Sequence, residues 1–337
     1  MPNTGIAAFL RLVSFILFRY NDNENHFHSK EDIMKKKHSW QILITLIALI
    51  AVLAACGNND KASSEKPKTQ TVTDALKRKV TIPKDPKKIV ALQNVAEISI
   101  LGTPAIGTTD EYKTTYPAET KNAESIGGDK PNIEKITKLA PDLIIISDYQ
   151  KDMIENLEKI APVYATHFGD TPDQHLEKLA KLLNREKEKD AWYKKYNATL
   201  KKERAKLKAA GITNKKAAVF QFYGKDIYIH DQNIFSGLYD KGAGFKPTAA
   251  AAKNKETKAI SQEAIPNYAK DADYIFILAP IGGSDASVKD LLNGVWKDIP
   301  AVKAKHVYLV ENKKWSDYTI ATRLYQLKDS VAKVTGK

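Results

Sequence analysis

The run Leu143-Ile144-Ile145-Ile146-Ser147 holds no polar side chain before its last position, and Pro141-Asp142 stands directly before it. A strand with one wet face alternates apolar and polar residues. An unbroken apolar run of strand length fits a strand covered on both faces, as in a parallel sheet flanked by helices. The device recurs further along, where Ala272-Asp273 precedes Tyr274-Ile275-Phe276-Ile277-Leu278. Two such strands in 337 residues, a length sufficient for two ordinary domains, predict two α/β lobes.

The spacing around them agrees. Further apolar strands are expected at 88–92, 106–107, 162–165, 217–223, 227–229 and 306–310. Helices are expected at 96–101, 132–139, 151–160, 235–242, 261–268, 288–292 and 318–334. From 173 to 210, Leu176, Leu179, Leu183, Trp192, Tyr196, Leu200 and Leu207 recur at helical spacing, with a break expected near Asn184 and Gly211 as the terminal cap. The expected fold is therefore α/β: two Rossmann-like lobes with mostly parallel sheets, joined by a single long helix, with a ligand cleft between the lobes. The lobes are placed at 76–172 and 212–337, and the linking helical region at 173–211.

Residues before the first lobe serve another purpose. Met34 opens Lys35-Lys36-Lys37, positions 41–52 are almost wholly apolar, and Leu53-Ala54-Ala55-Cys56-Gly57 follows. A basic start, a short apolar core and small residues before a cleavage point describe an export signal over 34–55. The core is too short for a comfortable membrane span. Residues 1–33 make a poor start to such a signal and are read as an upstream extension outside the working protein. Residues 56–75 are polar and read as a flexible tether, with folded structure beginning near Val80. Cys56 is the single cysteine, so no intramolecular disulfide is possible. Leu-Ala-Ala-Cys after an apolar core resembles the lipobox of bacterial lipoproteins, which implies acylation of Cys56. Several acyl chains on one residue anchor a protein stably, and the resemblance implies a lipid-anchored protein on the extracytoplasmic face of a Gram-positive-type cell membrane.

Net charge is +13, which raises a nucleic-acid reading. Export argues against it, and so does the location of the charge. Residues 176–210 alone hold twelve Lys and Arg against five Asp and Glu, as on the solvated face of a long helix. Catalytic patterns are missing: there is no Gly-rich phosphate loop and no Gly-x-Ser-x-Gly, and Gly282-Gly283 lacks the other glycines of a dinucleotide fingerprint. An enzyme, for instance a surface hydrolase, is accordingly remote. His167, His175, His230 and His306 are scattered, against direct metal binding; neither a resident metal nor a cofactor is expected.

Several segments, in order, carry a family resemblance: 82–90 (Ile-Pro-Lys-Asp-Pro-Lys-Lys-Ile-Val), 132–136 with 141–145, 260–265 (Ile-Ser-Gln-Glu-Ala-Ile), and 296–303 (Trp-Lys-Asp-Ile-Pro-Ala-Val-Lys) before His306-Val307-Tyr308. Behind a lipobox they resemble the iron–siderophore-binding lipoproteins of bacterial ABC importers, in the class whose lobes are bridged by one helix. The resemblance spans 80–334. It implies a non-enzymatic protein, expected to be monomeric, that captures a ferric siderophore and delivers it to the permease subunits of an importer driven by a cytoplasmic ATPase.

Ligands of open α/β sheets bind beyond the carboxyl ends of the strands, and small-molecule clefts favour aromatic walls with a few polar groups. That rule nominates Gln93, Asn94, Tyr112, Lys113, Tyr149, Gln221, Tyr223, His230, Trp315, Tyr318 and Arg323. Tyr and Trp offer flat apolar area with a polar end, and Lys or Arg would offset the charge of chelating oxygens. The plain alternatives are that Tyr149 and Tyr223 cap the apolar layer, that Lys113 is a surface lysine, and that Arg323 pairs with an acid. Catecholate binders of the class often carry arginines on the strand that here holds Gln221 and Tyr223. The resemblance therefore favours a hydroxamate complex over catecholate or citrate. Haem and cobalamin receptors share the fold, and haem would need an axial ligand such as His230. Glu134 and Glu263 sit in the first turns of the two echoed helices, where a helix dipole favours an acid. They also match the glutamates with which the family engages its permease.

Overall fold

The computed structural model describes residues 68–336 except 129, 224–225 and 282–284. The expected signal and Cys56 lie outside the described residues. The described chain opens with an antiparallel pair, β1 (Thr69–Thr73) and β2 (Lys79–Pro83). This corrects the expectation of a tether reaching 75. Thr-Gln-Thr-Val-Thr is polar in composition, but its β-branched residues alternate at the strand period, with Gln70 and Val72 turned inward. Gln70 Nε2 also donates to the Leu182 carbonyl at 2.8 Å.

The first lobe follows as β3 (Ile89–Ala91), α1 (Val95–Ile100), β4 (Gly107–Thr108), α2 (Asp110–Thr115), β5 (Glu124–Ser125), α3 (Ile133–Leu139) and β6 (Leu143–Ser147). A 3-10 turn (Asp148–Met153) then leads into α4 (Ile154–Glu158) and β7 (Val163–Thr166). Strand order is β5-β4-β3-β6-β7 and every pairing is parallel. All five residues of β6 are buried, as its unbroken apolar run requires.

The linking region is two helices. Pro172–Leu183 forms α5, started by a capping box between Thr171 and Gln174, and Glu186–Ala209 forms α6. They part at Asn184, which takes left-handed dihedrals (φ 54°, ψ 50°), a conformation Asn tolerates better than most residues. Leu176, Leu179 and Leu183 of α5 join the first lobe's core, whereas Tyr196 and Leu207 of α6 join the second's. Trp192 packs against both cores.

The second lobe comprises β8 (Lys216–Tyr223), β9 (Asp226–Ile229), β10 (Lys246–Pro247), α7 (Ala249–Lys253) and β11 (Lys258–Ile260). A 3-10 turn (Gln262–Ala264) runs into α8 (Ile265–Ala269), followed by β12 (Tyr274–Ile281), α9 (Asp285–Asn293), α10 (Pro300–Lys303), β13 (Val307–Val310), α11 (Asn312–Ser316) and α12 (Ile320–Thr335). Its sheet, ordered β11-β9-β8-β12-β13 with β10 beside the start of β8, is mixed because β9 runs antiparallel to both neighbours. The helix expected at 235–242 is a chain of turns instead. Close approach at two glycines explains it: a Cβ on Gly237 would collide with the Arg323 carbonyl, and one on Gly242 with the Gly237 carbonyl.

The repeated acid before each buried strand has a structural use. Asp142 accepts from the amides of Lys87 (2.7 Å) and Lys88 (2.9 Å), at the entry to β3. Asp273 accepts from the Lys216 amide at 2.8 Å, at the entry to β8. Each carboxylate thereby fixes the neighbouring strand in register.

Candidate functional site

Three strand ends of the first lobe open onto a depression of about 400 Å³, lined among others by Gln93, Glu111, Tyr112, Tyr149, Asp152 and Met153. Gln93 follows β3, Tyr112 lies in α2 just beyond β4, and Tyr149 and Asp152 lie on the turn that leaves β6. Their side chains hold one another. The Tyr112 hydroxyl donates to Gln93 Oε1 at 2.7 Å, and Gln93 Nε2 donates to the Tyr149 hydroxyl at 2.9 Å. One amide thus fixes two phenols, a rigid arrangement for contacting a flat or chelated ligand. Tyr149 is 57% exposed and meets the 68% exposed Phe168 edge to face at 5.3 Å. Phe168 is held in turn by Asp148, whose Oδ1 accepts its amide at 3.0 Å while Oδ2 pairs with His167 Nδ1 at 2.6 Å. Burial would raise the Asp148 carboxyl, but His167 and that amide hold it below its ordinary range. Phe168 is absent from the residues nominated by sequence, although the strand-end rule applied to β7 would reach it.

Two further nominees of this lobe serve the scaffold. Asn94 is buried, left-handed at φ 60°, and accepts from the Thr166 hydroxyl at 2.9 Å. Lys113 Nζ donates to the carbonyls of Ala123 and Thr120, so its charge satisfies a loop and is withheld from a ligand.

The second lobe treats its nominees differently. Trp315 is 0% exposed, lies 5.2 Å from Phe276 in a stacked pair, and donates through Nε1 to Asp329 at 2.9 Å. Its place is the core, which corrects the expectation of a cleft residue. Arg323 is likewise buried, forked onto Asp173 at 2.6 and 2.9 Å. Burial alone would raise Asp173, yet Arg323 and Lys241 hold its carboxyl far below the ordinary range. The pair joins α12 to α5, and Arg323 is no free cation.

His230 has both ring nitrogens engaged, with Gln221 Oε1 at 2.7 Å and the Thr257 hydroxyl at 2.9 Å. Burial lowers its pKa to about 4, so it is neutral, and neither nitrogen is free for a haem iron. Gln221 continues the string by donating to Asn312 Oδ1 at 2.9 Å. Tyr223, 57% exposed at the end of β8, and the half-buried Tyr318 remain available.

The lobes meet beside this site. The Tyr116 hydroxyl, one turn past Tyr112, bonds Asp317 and the hydroxyls of Thr319 (2.7 Å) and Thr322 (3.2 Å). Glu97, fully buried, accepts from the Ile320 amide at 3.1 Å through Oε1, and burial raises its pKa to about 7. Its Oε2 has no hydrogen-bond partner among the described residues. The one acid in the apolar segment Val-Ala-Glu-Ile-Ser-Ile is the available sequence signal. Glu134 and Glu263 are both exposed. The Glu263 carboxyl is held below its ordinary range by its own amide and the Ser261 hydroxyl. Among the described residues no cluster of three or more His, Cys, Asp or Glu could hold a metal, and no helix is long and apolar enough to cross a membrane.

Two α/β lobes bridged by the α5–α6 pair, with a fixed aromatic and amide face at one set of strand ends, define a two-lobed ligand-binding protein. Residues 92–313 match the family model described as periplasmic binding protein, and the chain belongs to that family. It is 32% identical to the iron(3+)-hydroxamate-binding protein FhuD of Bacillus subtilis (strain 168) over 286 residues, covering 79% of this chain and 88% of that protein. It is 28% identical to the Fe(3+)-citrate-binding protein YfmC of the same strain, covering 88% and 98%. Among solved structures, a FhuD-fold periplasmic binding protein component of a Fep/Fec-like ferrichrome ABC transporter from Bacillus subtilis superposes with a TM-score of 0.68. That match has 27% identity and covers 79% of this chain and all of the other.

Proposed function

We propose that this chain is a lipid-anchored substrate-binding protein that captures a ferric siderophore, preferentially a hydroxamate, and delivers it to an ABC permease. The observation that carries this reading is the likeness to the hydroxamate-binding FhuD over most of both chains. The site supports it. Ferric hydroxamates carry less negative charge than catecholates or citrates, and the polar lining of the depression includes phenols, amides and carboxylates, with no lysine or arginine among the described residues. A catecholate or citrate complex would leave its anionic oxygens without charge-assisted donors there. Iron enters as cargo inside its chelate. The protein's part is to present Tyr112, Gln93 and Tyr149 on one side and Tyr223 and Tyr318 on the other. Cys56 would carry the anchor, and Glu134 and Glu263 would meet the permease.

Titration calorimetry of the purified chain with ferric hydroxamate, catecholate and citrate complexes tests the proposal. Tightest binding of the hydroxamate is expected; exclusive binding of either anionic complex would overturn the ligand assignment. Replacing Cys56 with Ser is expected to release the protein into the medium or leave an uncleaved precursor.

A further inference from the structure

We propose that the depression of the first lobe selects among ferric hydroxamates by charge, taking a complex that carries a cationic group and setting Glu111 and Asp152 against it; this rests on the hydroxamate reading of the site. The two carboxylates line the same 400 Å³ depression as the Tyr112–Gln93–Tyr149 string. Both are exposed, and neither has an ion pair or side-chain hydrogen bond with any described residue.

Several other carboxylates of the chain are already paired. Asp74, Asp170, Asp173 and Asp273 each hold a lysine or arginine within 3.0 Å. The chain has 53 Lys and Arg against 40 Asp and Glu, so chance favours a cation at any rim. Among the described residues none lines this one. Lys113, on the same helix as Glu111, is spent on the carbonyls of Thr120 and Ala123, and Lys151, the chain neighbour of Asp152, is exposed outside the lining. Asp317 adds a further acid at the lobe junction beside Tyr116.

Two unpaired carboxylates in a basic protein, beside a set of fixed phenols, form an electrostatic filter. A trianionic ferric complex is repelled. A neutral complex is admitted by the phenols alone. A linear trihydroxamate that ends in a free amine gains contacts with both acids. The carboxylates do not reach the iron in this scheme; they meet the ammonium at the end of the chelating chain.

The test uses the full chain in detergent and three probes: ferrioxamine B, which ends in a free amine; its N-acetylated form, with the same iron centre and no cation; and a ferric tris-catecholate. Exposed ion pairs are individually weak, so two of them should favour the free amine by roughly three- to tenfold in Kd. The preference should shrink as salt rises. Glu111→Gln/Asp152→Asn should equalise the two hydroxamates, with a melting temperature within a few degrees of the parent. Glu188→Gln, on the linking helix, should keep the preference. Equal affinity for the two hydroxamates in the unaltered chain, or a preference that survives the double variant, overturns the charge filter and leaves the hydroxamate reading intact. Binding of the tris-catecholate alone overturns both.

Discussion

In the first lobe, Gln93, Tyr112 and Tyr149 remain at the mouth of a depression; in the second, Trp315, Arg323 and His230, chosen by the same strand-end rule, turn inward. The elements that come after each strand make the difference. β3, β4 and β6 run into short turns and helices that leave their ends uncovered. β13 runs straight into α11 and α12, which fold back over the sheet, so that Trp315 meets Phe276 of β12 and Arg323 meets Asp173 of α5. A residue past a strand end lines a cleft only when no later element claims that space.

The contrast is most easily broken at Trp315. Trp315→Ala should cost about 3–5 kcal/mol of stability, as removal of a fully buried aromatic does, whereas Tyr149→Ala, exposed and outside the core, should cost well under about 1 kcal/mol. Urea denaturation of the two variants measures both. A stable Trp315→Ala protein that no longer binds siderophore would place the indole in the cleft and erase the contrast.

The junction between the lobes should respond to pH. Glu97 has its pKa raised by burial from the ordinary 4.5 to about 7. Between those values the folded chain holds a proton that the unfolded chain has released, so stability falls as pH rises through the interval. The loss approaches about 3 kcal/mol by pH 8, since each tenfold change in proton affinity is worth roughly 1.4 kcal/mol. Thermal melts from pH 4.5 to 8 should show the decline, superposed on other titrations, and Glu97→Gln should reduce it. A slope identical in the variant would mean the carboxyl is solvated in the folded state. Because Glu97 belongs to α1 and its partner Ile320 to α12, the same variant tests whether the lobes share one transition.

Much of the fold is legible because parallel strands buried on both faces are written as plain apolar runs: β6 lies where a strand is expected at 143–147, and the linking region breaks at Asn184. Illegible pieces share a different cause. β1 looks like linker because Thr and Gln are polar, although alternation rather than composition makes a strand. The turns at 235–242 look helical because the close approaches of Gly237 and Gly242 depend on chain that lies far away or folds back. At the site, Gln93, Tyr112 and Tyr149 can be found by position, but Trp315 and Arg323 cannot be rejected that way, since only the packing of α11 and α12 shows them covered. Asp173 stands at the start of the linking helix with no sign in the sequence that Arg323, 150 positions on, forks onto it.

If the first lobe supplies the fixed face, its aromatic residues should matter more to the ligand than those opposite. Tyr149→Ala and Phe168→Ala are each expected to weaken ferric hydroxamate binding by about 1–2 kcal/mol, and Tyr223→Ala by less, within the range of aromatic anchors. Calorimetry at fixed salt resolves this. A larger loss at Tyr223 would shift the recognition face to the second lobe.

The smallest effect on the isolated molecule is expected where the lobes are most alike. Glu134 and Glu263 occupy echoed segments and both are exposed, Glu134 in the first turn of α3 after the cap Asn132 and Glu263 in the 3-10 turn after Ser261 that leads into α8. Asn132 Oδ1 accepts the Lys135 amide at 3.0 Å, so α3 keeps its cap without the glutamate. The dipole contribution of an exposed first-turn acid is about 0.3–1 kcal/mol. Glu134→Ala/Glu263→Ala should therefore melt within a few degrees of the parent and bind siderophore with unchanged affinity. Charge pairs at a protein interface act mainly on orientation and association rate, so the loss should be confined to transport: cells carrying only the double variant should fail to take up labelled ferric hydroxamate. Each single variant should retain partial uptake, because one carboxylate would still dock. Full uptake by the double variant removes the docking role. A drop of many degrees in either single variant would show that the acid's work is to start its own helix, and the likeness of the two lobes at these positions would then be one of folding alone.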